Sequence, residues 1–555
     1  MNEIAVLGQV KFLYEHELYS NIVSLSSSLS STLDKGNDVA TSSTKFQLMV
    51  YFANSLCQCK EYKRAESTFR AALQLRKSLG KMRGKQDSNQ EALLSPEMDL
   101  NNIKYQIHLC HANLKQYTQA IAVLESIPAK LRTCQVNMAL GKLYQQSGQD
   151  RSSITAYKEV VKECPLALEA ARGLLSLGVK GAEVSSMVLN GSSISSIDWV
   201  PLWIKAYAQL YSREYSSCVG TIKLLETKTT LANNIDILKL QGEAYYYNGD
   251  YKLAENVLER VHTIDPHYLS GMDLYALLLA KENKVKELES LSTHLLSITE
   301  ESPEPWLSMA LYCQITGKIT RAVYFAQKAC VINPRNVEAL LLKGFILIDI
   351  KKLQEAAFHF REALKIAPYR YEPHKGLVEC HLAMGRNKEA MTLATHACKQ
   401  LGNSARSFTL YANVLAKDPS TKDRARSFLE KALKVDNTHL PAVYKLVEIY
   451  EQDKEIEKGI ELVTKQLEIQ SNGKLHQLLA DLLYRNKDSV RALDHYGIAL
   501  SFEPNNPRVL QGMQRVEQQS DLADSSYDID DLADTDNEEG VESEVEGVWS
   551  DVDFT

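Results

Sequence analysis

Small, large and proline residues recur along this chain at intervals of 34 residues, and this period limits the folds that the chain can adopt. A unit that begins at Val337 carries Gly344 at its eighth position, Ala356 at its twentieth, Phe360 at its twenty-fourth and Pro368 at its thirty-second. A regular period of this length indicates a stacked array of short structural units. Units of this kind begin at or near residues 46, 101, 134, 201, 235, 269, 303, 337, 371, 406, 440 and 473.

The residue types at these positions have physical reasons within a unit of two helices joined by a turn. Small side chains let neighbouring helices approach closely, and a larger side chain fills the space that remains. Proline cannot continue a helix, so it ends the second helix of each unit. Turns between the two helices are predicted at 248–251 (NGDY) and 384–387 (MGRN). The predicted packing and helix-ending residues are Gly242, Ala254, Trp306, Ala322, Gly344, Ala356, Phe360, Ala363 and Pro368.

The period, the small residues at positions 8 and 20, the large residue at 24 and the proline at 32 together resemble the tetratricopeptide repeat. The resemblance covers residues 46–508. The predicted fold class is therefore all-α: a tetratricopeptide-repeat superhelical solenoid with a disordered acidic C-terminal tail. One unit cannot bury its apolar face alone, so the units are expected to stack around a concave inner surface.

Departures from the period divide the chain into four predicted segments. Residues 1–45 form an N-terminal helical segment, and residues 46–165 form N-terminal repeats that contain a basic linker at 76–97. Residues 166–508 form the main repeat array, in which NGSSISSIDW replaces one normal repeat end. Residues 515–555 have too few large apolar side chains to fold alone and form the acidic tail.

The charge of the chain is unevenly distributed. The net charge is −7, but residues 521–555 contain fourteen Asp and Glu and no Lys or Arg, so residues 1–520 carry a charge of +7. So small a positive charge on so large a body does not indicate nucleic acid binding. The N-terminus lacks the basic region of a signal peptide, and no apolar run is long enough for a transmembrane helix. The ten scattered cysteines are therefore expected to be reduced thiols.

The chain contains none of the common phosphate-binding, zinc-protease or serine-hydrolase motifs. Cys57 and Cys59 form a C-x-C pair without a second pair at a metal-binding distance. His108, Cys110 and His111 are close in sequence, but neighbouring positions of a helix point apart, so we expect a core cysteine and two surface or groove histidines. The sequence predicts no catalytic residue, no cofactor and no metal site.

Function in a repeat array is expected on the inner surface, which positions 2, 5, 9 and 12 of each first helix face in the tetratricopeptide-repeat family. An apolar strip flanked by charges would suit a partner helix or an extended peptide. The alternative is that the apolar residues only pack against neighbouring units. The candidates are Leu307, Leu311, Leu341, Phe345, Ile348, Lys375 and Glu379.

One known use of this surface is excluded by residue type. Co-chaperones with this repeat bind a C-terminal carboxylate through a Lys at position 5 and an Asn at position 9. At the places where Lys205, Lys239 and Lys375 supply the lysine, Gln or Glu replaces the asparagine. A carboxylate clamp is therefore not expected.

Two charged segments have two open interpretations each. The linker at 76–97 could direct nuclear import or bind an acidic partner, or it could be a solvated loop. In the tail, Ser543 and Ser550 precede acidic residues, as acidophilic kinases require, and are candidate phosphorylation sites. The alternative is a tail that only improves solubility.

Some stretches are more specific than the repeat class. CPLALEAARGLLSLGVKGAEVSSM (164–187), WIKAYAQLY (203–211) and DPHYLSGMDLYALLLA (265–280) resemble the family formed by subunit seven of the anaphase-promoting complex. The segment LLSLGVKGAE, which interrupts the regular repeat, distinguishes this family from other repeat chains.

The resemblance implies a non-catalytic scaffold of a multisubunit ubiquitin ligase that controls mitotic progression, in the nucleus and the cytoplasm. It implies partners among the other tetratricopeptide-repeat subunits, and no small-molecule, membrane or nucleic acid partner. It also implies a homodimer formed through the N-terminal part, for which the candidate residues are Phe46, Met49, Tyr51 and Phe52. The competing hypotheses are a peptide-binding repeat adaptor and an enzyme with a site hidden in the array.

Overall fold

The structure is a computed structural model that describes residues 3–33, 39–82, 99–189, 197–229, 231 and 233–527. Within these residues the chain forms α-helices and two single-turn 3₁₀ helices and contains no strand, which confirms the predicted all-α class. The fold divides into two compact units, residues 1–335 and residues 336–555. Each helix packs mainly against the helices next to it in the chain.

The first unit contains eighteen helices among its described residues. They are α1 (Glu3–Glu15), α2 (Tyr19–Leu33), α3 (Val39–Gln58), α4 (Tyr62–Met82), α5 (Leu100–Asn113), α6 (Tyr117–Glu125), α7 (Cys134–Ser147), α8 (Asp150–Glu163), α9 (Leu168–Ser176), α10 (Gly181–Leu189), α11 (Trp199–Tyr211), α12 (Tyr215–Lys228), α13 (Ile235–Asn248), α14 (Tyr251–Ile264), α15 (Met272–Lys281), α16 (Val285–Ile298), α17 (Pro303–Ile315) and α18 (Ile319–Ile332).

The second unit contains eleven helices among its described residues. They are α19 (Val337–Asp349), α20 (Leu353–Ile366), α21 (Tyr371–Ala383), α22 (Asn387–Leu401), α23 (Ala405–Leu415), α24 (Lys422–Val435), α25 (Leu440–Gln452), α26 (Ile456–Ile469), α27 (Gly473–Arg485), α28 (Ser489–Phe502) and α29 (Pro507–Tyr527).

Asparagine side chains begin the first helix of several repeats. The side chain of Asn234 accepts a hydrogen bond from the backbone N–H of Ile237 at 3.2 Å, and Asn336 accepts one from Ala339 at 3.0 Å. These bonds satisfy backbone donors that the helix itself cannot pair. Gly249, at φ 98°, ends α13 in the left-handed conformation that glycine adopts without strain. The predicted turn at 248–251 and the repeat starts at 235 and 337 are thereby confirmed.

The predicted proline stops are also confirmed. Helix α20 ends at Ile366, two residues before Pro368, and α14 ends at Ile264, two residues before Pro266. Pro368 itself is exposed, and its carbonyl accepts a hydrogen bond from Nε2 of His374 at 2.8 Å. Its role is therefore to end the helix and not to fill the core.

A large side chain lies between two glycines in each unit. A Cβ atom added to Gly344 would lie 2.7 Å from the Phe360 ring, and one added to Gly376 would lie closer still. In the first unit, a Cβ atom added to Gly141 would lie 2.5 Å from the Tyr157 ring, and one added to Gly173 would lie 2.7 Å from it. The aromatic ring can occupy this position only because neither glycine has a side chain.

The other predicted packing residues are also in the core. Trp306 is buried and donates a hydrogen bond from Nε1 to the carbonyl of Glu300 at 2.9 Å. A Cβ atom on Gly242 would lie 2.7 Å from the side chain of Leu258. The fully buried members of the set are Ala254, Ala322, Ala356, Phe360 and Ala363.

The predicted boundary at residue 46 is wrong, because α3 begins at Val39 and crosses it. Val10 of α1 and Ile22 of α2 are buried in the same cluster as Phe46. The first two helices are thus part of the core of the N-terminal repeats. Apolar side chains in all three helices make this single core possible.

The predicted starts of the basic linker, at 76, and of the acidic tail, at 515, both lie within helices. Helix α4 continues to Met82, so 76–82 is helical, and 83–98 lies outside the described residues. Helix α29 continues to Tyr527 because Val509 and Val516 are buried in the cluster that contains Tyr496. These apolar residues hold the last helix on the array although the sequence is turning acidic. Residues 528–555 lie outside the described part.

The irregular stretch 166–200 keeps two short helices, α9 and α10, as its helical pattern predicts. The array of the first unit also curves back on itself. Nζ of Lys115 lies 3.4 Å from the carbonyl of Val331, a residue 216 positions further along the chain. Contacts at this sequence separation are expected of a superhelix, in which successive repeats rotate by a small constant angle.

The glycine contacts predict a measurable effect of one methyl group. We expect Gly376→Ala to destabilise the chain, because the added Cβ meets the Phe360 ring. Overpacking costs about 1–3 kcal/mol, which outweighs the ~1 kcal/mol that alanine gains over glycine in a helix. Urea unfolding measures the difference.

The matched control is Gly497→Ala in α28, where no atom lies within 4 Å of the added Cβ. This variant is expected to be neutral or slightly more stable. Combining Phe360→Leu with Gly376→Ala should reduce the loss that Gly376→Ala causes alone. Equal stability of the Gly376→Ala and Gly497→Ala chains would contradict the packing argument.

Candidate interaction surfaces

The lysine that a carboxylate clamp would use is already paired in the first unit. On α13, Lys239 and Glu243 lie one helical turn apart, and Nζ is 2.5 Å from Oε1. The two side chains are only 13% and 18% exposed. Burial acts to lower the pKa of Lys239, but the charge and the hydrogen bond of Glu243 outweigh it, and the pKa is raised. Lys239 therefore stays charged and bound to Glu243.

Tyrosines and an arginine surround this pair, and we call Arg172, Tyr207, Tyr211, Lys239 and Glu243 the Tyr207 cluster. Arg172 of α9 hydrogen-bonds to Tyr207 of α11. The rings of Tyr207 and Tyr211 stack with their centroids 6.3 Å apart. Tyr211 is 38% exposed.

The two phenols of the Tyr207 cluster have raised pKa values. Burial raises the pKa of Tyr207 to about 12, although Arg172 opposes the shift. Burial and the charge of Glu243 raise the pKa of Tyr211 to about 12. Both phenols therefore stay protonated near neutral pH and act as hydrogen-bonding aromatic groups.

A second ionic arrangement holds successive repeats together in the second unit. Arg370 lies between α20 and α21, with Nη1 2.6 Å from Oε1 of Glu338 and Nε 3.0 Å from Oε2 of Glu372. Burial acts to raise the pKa of Glu372, but Arg370 outweighs it and the pKa is lowered. The ring of Tyr371 lies 6.0 Å from the guanidinium carbon of Arg406. These charges satisfy one another within the chain.

In the first unit, the groove candidates Leu307 and Leu311 are both buried. Their side chains pack among the helices and leave almost no surface for a partner. Their burial agrees with the alternative interpretation, in which these leucines only pack against neighbouring units.

In the second unit, Leu341 is buried in the same way, whereas Phe345 and Ile348 are half-buried. The ring of Phe345 meets the ring of Phe360 edge-on, with the centroids 5.1 Å apart. Lys375 and Glu379 are about half exposed, and Nζ lies 3.7 Å from Oε1. Binding through Phe345, Ile348, Lys375 and Glu379 stays a prediction.

The self-association candidates on α3 divide in the same way. Phe46 and Tyr51 are buried, and their packing role within the core is the one that the structure supports. Met49 and Phe52 are partly buried and pack against that core. Phe46 and Tyr51 therefore have little surface to offer to a second chain.

The exposed apolar side chains of the N-terminal region lie on other helices, and the sequence analysis missed them. Phe12 of α1, Leu18 in the turn before α2 and Leu25 of α2 are each at least 36% exposed, and Phe12 is 54% exposed. The signal was the sequence of α1, EIAVLGQVKFLYE, which has apolar residues around more of the helix than one neighbour can cover.

The histidines of α5 are in the core, so their predicted place on the surface or in the groove is wrong. His108 and His111 are both almost completely buried, as is Cys110. Nδ1 of His111 lies 2.9 Å from Oε1 of Gln116, and its Nε2 lies 3.7 Å from Oε1 of Glu66 on α4. Helix α4 covers the face of α5 that carries His111, which neighbouring positions in the sequence do not reveal.

Metal-binding groups and membrane-spanning helices are absent from the described residues. Across the described ranges, no three His, Cys, Asp or Glu side chains are grouped to hold a metal ion. No helix in the part of the chain that the structure covers is long and apolar enough to span a membrane. The candidate phosphorylation sites Ser543 and Ser550 lie outside the described residues.

Comparison with known proteins agrees with the fold. The tetratricopeptide repeat family matches residues 347–417. The crystal structure of the APC/C hetero-tetramer Cut9-Hcn1 has a TM-score of 0.52, with 93% of this chain and 96% of that chain covered. Its sequence identity is 15%, so this likeness concerns the fold alone. The chain is thus a tetratricopeptide-repeat protein.

Full-length relatives are more specific. Human anaphase-promoting complex subunit 7 is 38% identical over 98% of this chain and 98% of its own length. The Arabidopsis thaliana subunit 7 is 27% identical over 92% of this chain and 94% of its own length. The chain belongs to the anaphase-promoting complex subunit 7 family, which confirms the resemblance that the sequence motifs indicate.

The burial of His108 predicts a pH-dependent stability. Burial lowers the pKa of His108 from its usual 6.5 to about 4, although its bond to the Tyr105 carbonyl opposes the shift. The folded state therefore disfavours the charged form. The stabilising contribution is complete above 6.5 and is lost as the pH falls from 6.5 toward 4.

We expect His108→Gln to lower the thermal midpoint near neutral pH, where the neutral histidine packs well. The difference from the unchanged chain should shrink at about pH 5, because only the histidine must then lose a proton on folding. Scanning calorimetry at both pH values measures it. A difference that is the same at both would show that His108 is not buried as described.

Proposed function

We propose that this chain is a non-catalytic scaffold subunit of the anaphase-promoting complex, a multisubunit ubiquitin ligase that controls mitotic progression. The observation that carries the proposal is the 38% identity to the human subunit 7 over 98% of both chains. Likeness that extends over the whole repeat array, and not over one segment of it, supports a role that uses the whole array.

The side-chain arrangement supports a structural role. Arg370 joins Glu338 to Glu372, so charges on these repeats fix neighbouring helices, and Lys239 pairs with Glu243 within α13. The protonated phenols of Tyr207 and Tyr211 add aromatic surface and hydrogen-bonding groups. A rigid array of this kind can hold other subunits at fixed distances, with affinity distributed over large interfaces.

We propose other tetratricopeptide-repeat subunits of the complex as its partners, together with a second copy of this chain, in the nucleus and the cytoplasm. The exposed Phe12, Leu18 and Leu25 support self-association, because a second chain could cover these apolar side chains. These residues replace Phe46 and Tyr51 as the candidates, since the latter two are buried.

Co-purification tests the proposed function directly. The full-length chain, tagged and expressed at its natural level, is expected to co-purify with repeat subunits and with the cullin-like and RING-like subunits of the ligase. A chain that elutes free of ligase subunits would contradict the proposal. Micromolar binding of short peptides by such a free chain would favour the peptide-binding adaptor.

A surface substitution tests the self-association. We expect Phe12→Ser to shift the purified chain from dimer toward monomer in light scattering at low concentration, because it removes apolar area from the N-terminal surface. The matched control is Phe358→Ser on α20, where the ring is 56% exposed against 54% for Phe12. An equal effect of the two substitutions, or no effect of either one, would contradict the assignment.

A further inference from the structure

Two thiols meet where the first repeats of the N-terminal region pack together. Cys57 lies in the last turn of α3 and Cys110 lies in the last turn of α5. Their Sγ atoms are 3.3 Å apart, although the residues are 53 positions apart in the chain. Cys110 is fully buried and Cys57 is partly exposed, so a small molecule in solution reaches only Cys57.

The two thiols are electrostatically unequal. A hydrogen bond from Cys110 lowers the pKa of Cys57 and outweighs the opposing effect of burial. The same bond, together with burial and the charge of Glu66, raises the pKa of Cys110. The accessible sulfur is thus the better thiolate, and the buried sulfur keeps its proton and points at it. This is the arrangement of a nucleophilic and a resolving cysteine.

The charged groups beside the pair lie on α4 and α5. Glu66 forms an ion pair with Arg70 and lies 3.7 Å from Nε2 of His111. The carboxylate disfavours a thiolate at Cys110, which keeps the roles of the two sulfurs distinct. Reduced cysteines are the normal state in a reducing compartment, and a pair that is already in contact can respond when that state changes.

We propose that Cys57 and Cys110 are a redox-sensitive dithiol that forms a reversible disulfide on meeting a low-molecular-weight disulfide such as glutathione disulfide. The Cys57 thiolate attacks one sulfur of glutathione disulfide, the bond between the two glutathione sulfurs breaks, and one glutathione thiolate leaves. Cys110 then attacks Sγ of Cys57 and displaces the second glutathione, which takes the proton of Cys110. Two cysteines are oxidised and one glutathione disulfide is reduced to two glutathiones.

The product joins α3 to α5 covalently. Because the sulfurs are already in contact, small side-chain rotations bring them to the disulfide length of about 2.05 Å. The crosslink lies beneath the helices that carry Phe12 and Leu25, since α1, α2 and α3 share one core. The disulfide therefore crosslinks the repeats against which the helices with Phe12 and Leu25 pack.

Peptide mapping of the full-length chain tests the proposal. The purified reduced chain is incubated with glutathione disulfide, alkylated with iodoacetamide, digested with trypsin and analysed by mass spectrometry. We expect the peptide between Lys45 and Lys60 to be joined to the peptide between Lys104 and Lys115, with the loss of two hydrogens. Dithiothreitol should restore alkylation of both cysteines.

The first of these peptides also contains Cys59, which is exposed, so Cys59→Ser is the matched control. This variant should form the same crosslink, whereas Cys57→Ser should form none and should carry no glutathione at Cys110. Glutathione that persists on Cys57 of the unchanged chain, or a crosslink through Cys59, would overturn the proposal. The proposal would also be overturned if incubation with glutathione disulfide left the extent of Cys57 alkylation unchanged.

Discussion

The close approach of glycine backbones to a large side chain is the contact on which the rest of this fold depends. Phe360 lies against Gly344 and Gly376, and Tyr157 lies against Gly141 and Gly173, so one ring spaces two helices of successive repeats. Because a solenoid has only nearest-neighbour contacts, each such contact sets the geometry of its own repeat pair. The spacing of the helices in turn decides which residues face the inner surface and which are buried.

This spacing explains why the inner faces are suited to rigidity. Helices at a fixed distance place Arg172 of α9 beside Tyr207 of α11, and the guanidinium is then hydrogen-bonded within the chain. In the second unit, Arg370 pairs with Glu338 and Glu372 and so joins successive repeats. A surface of paired charges and protonated phenols offers shape and hydrogen bonds to a partner, which is what a scaffold subunit requires. Membership of the subunit 7 family and this chemistry point to the same role.

The sequence predicted the repeat class, the helix starts and the small-residue contacts because these depend on local spacing that one chain displays. It missed Gly376, which follows Gly344 after 32 residues and not 34, because the contact crosses from one repeat to the next. It left open whether Leu307 and Leu341 meet a partner or pack against neighbouring units, because their burial depends on the adjacent repeat. The burial of His108 and His111 depends on α4, and tertiary contacts of this kind are not written in neighbouring positions.

The central claim is that the repeats of each unit are folded before the chain joins its partners. Amide hydrogen exchange, measured on the free full-length chain and on the same chain within the purified complex, tests this claim most directly. The account predicts slow exchange of the core amides around Phe360 and Tyr157 in both states, with new protection confined to surface residues. Fast exchange of these core amides in the free chain, with protection gained only in the complex, would contradict it.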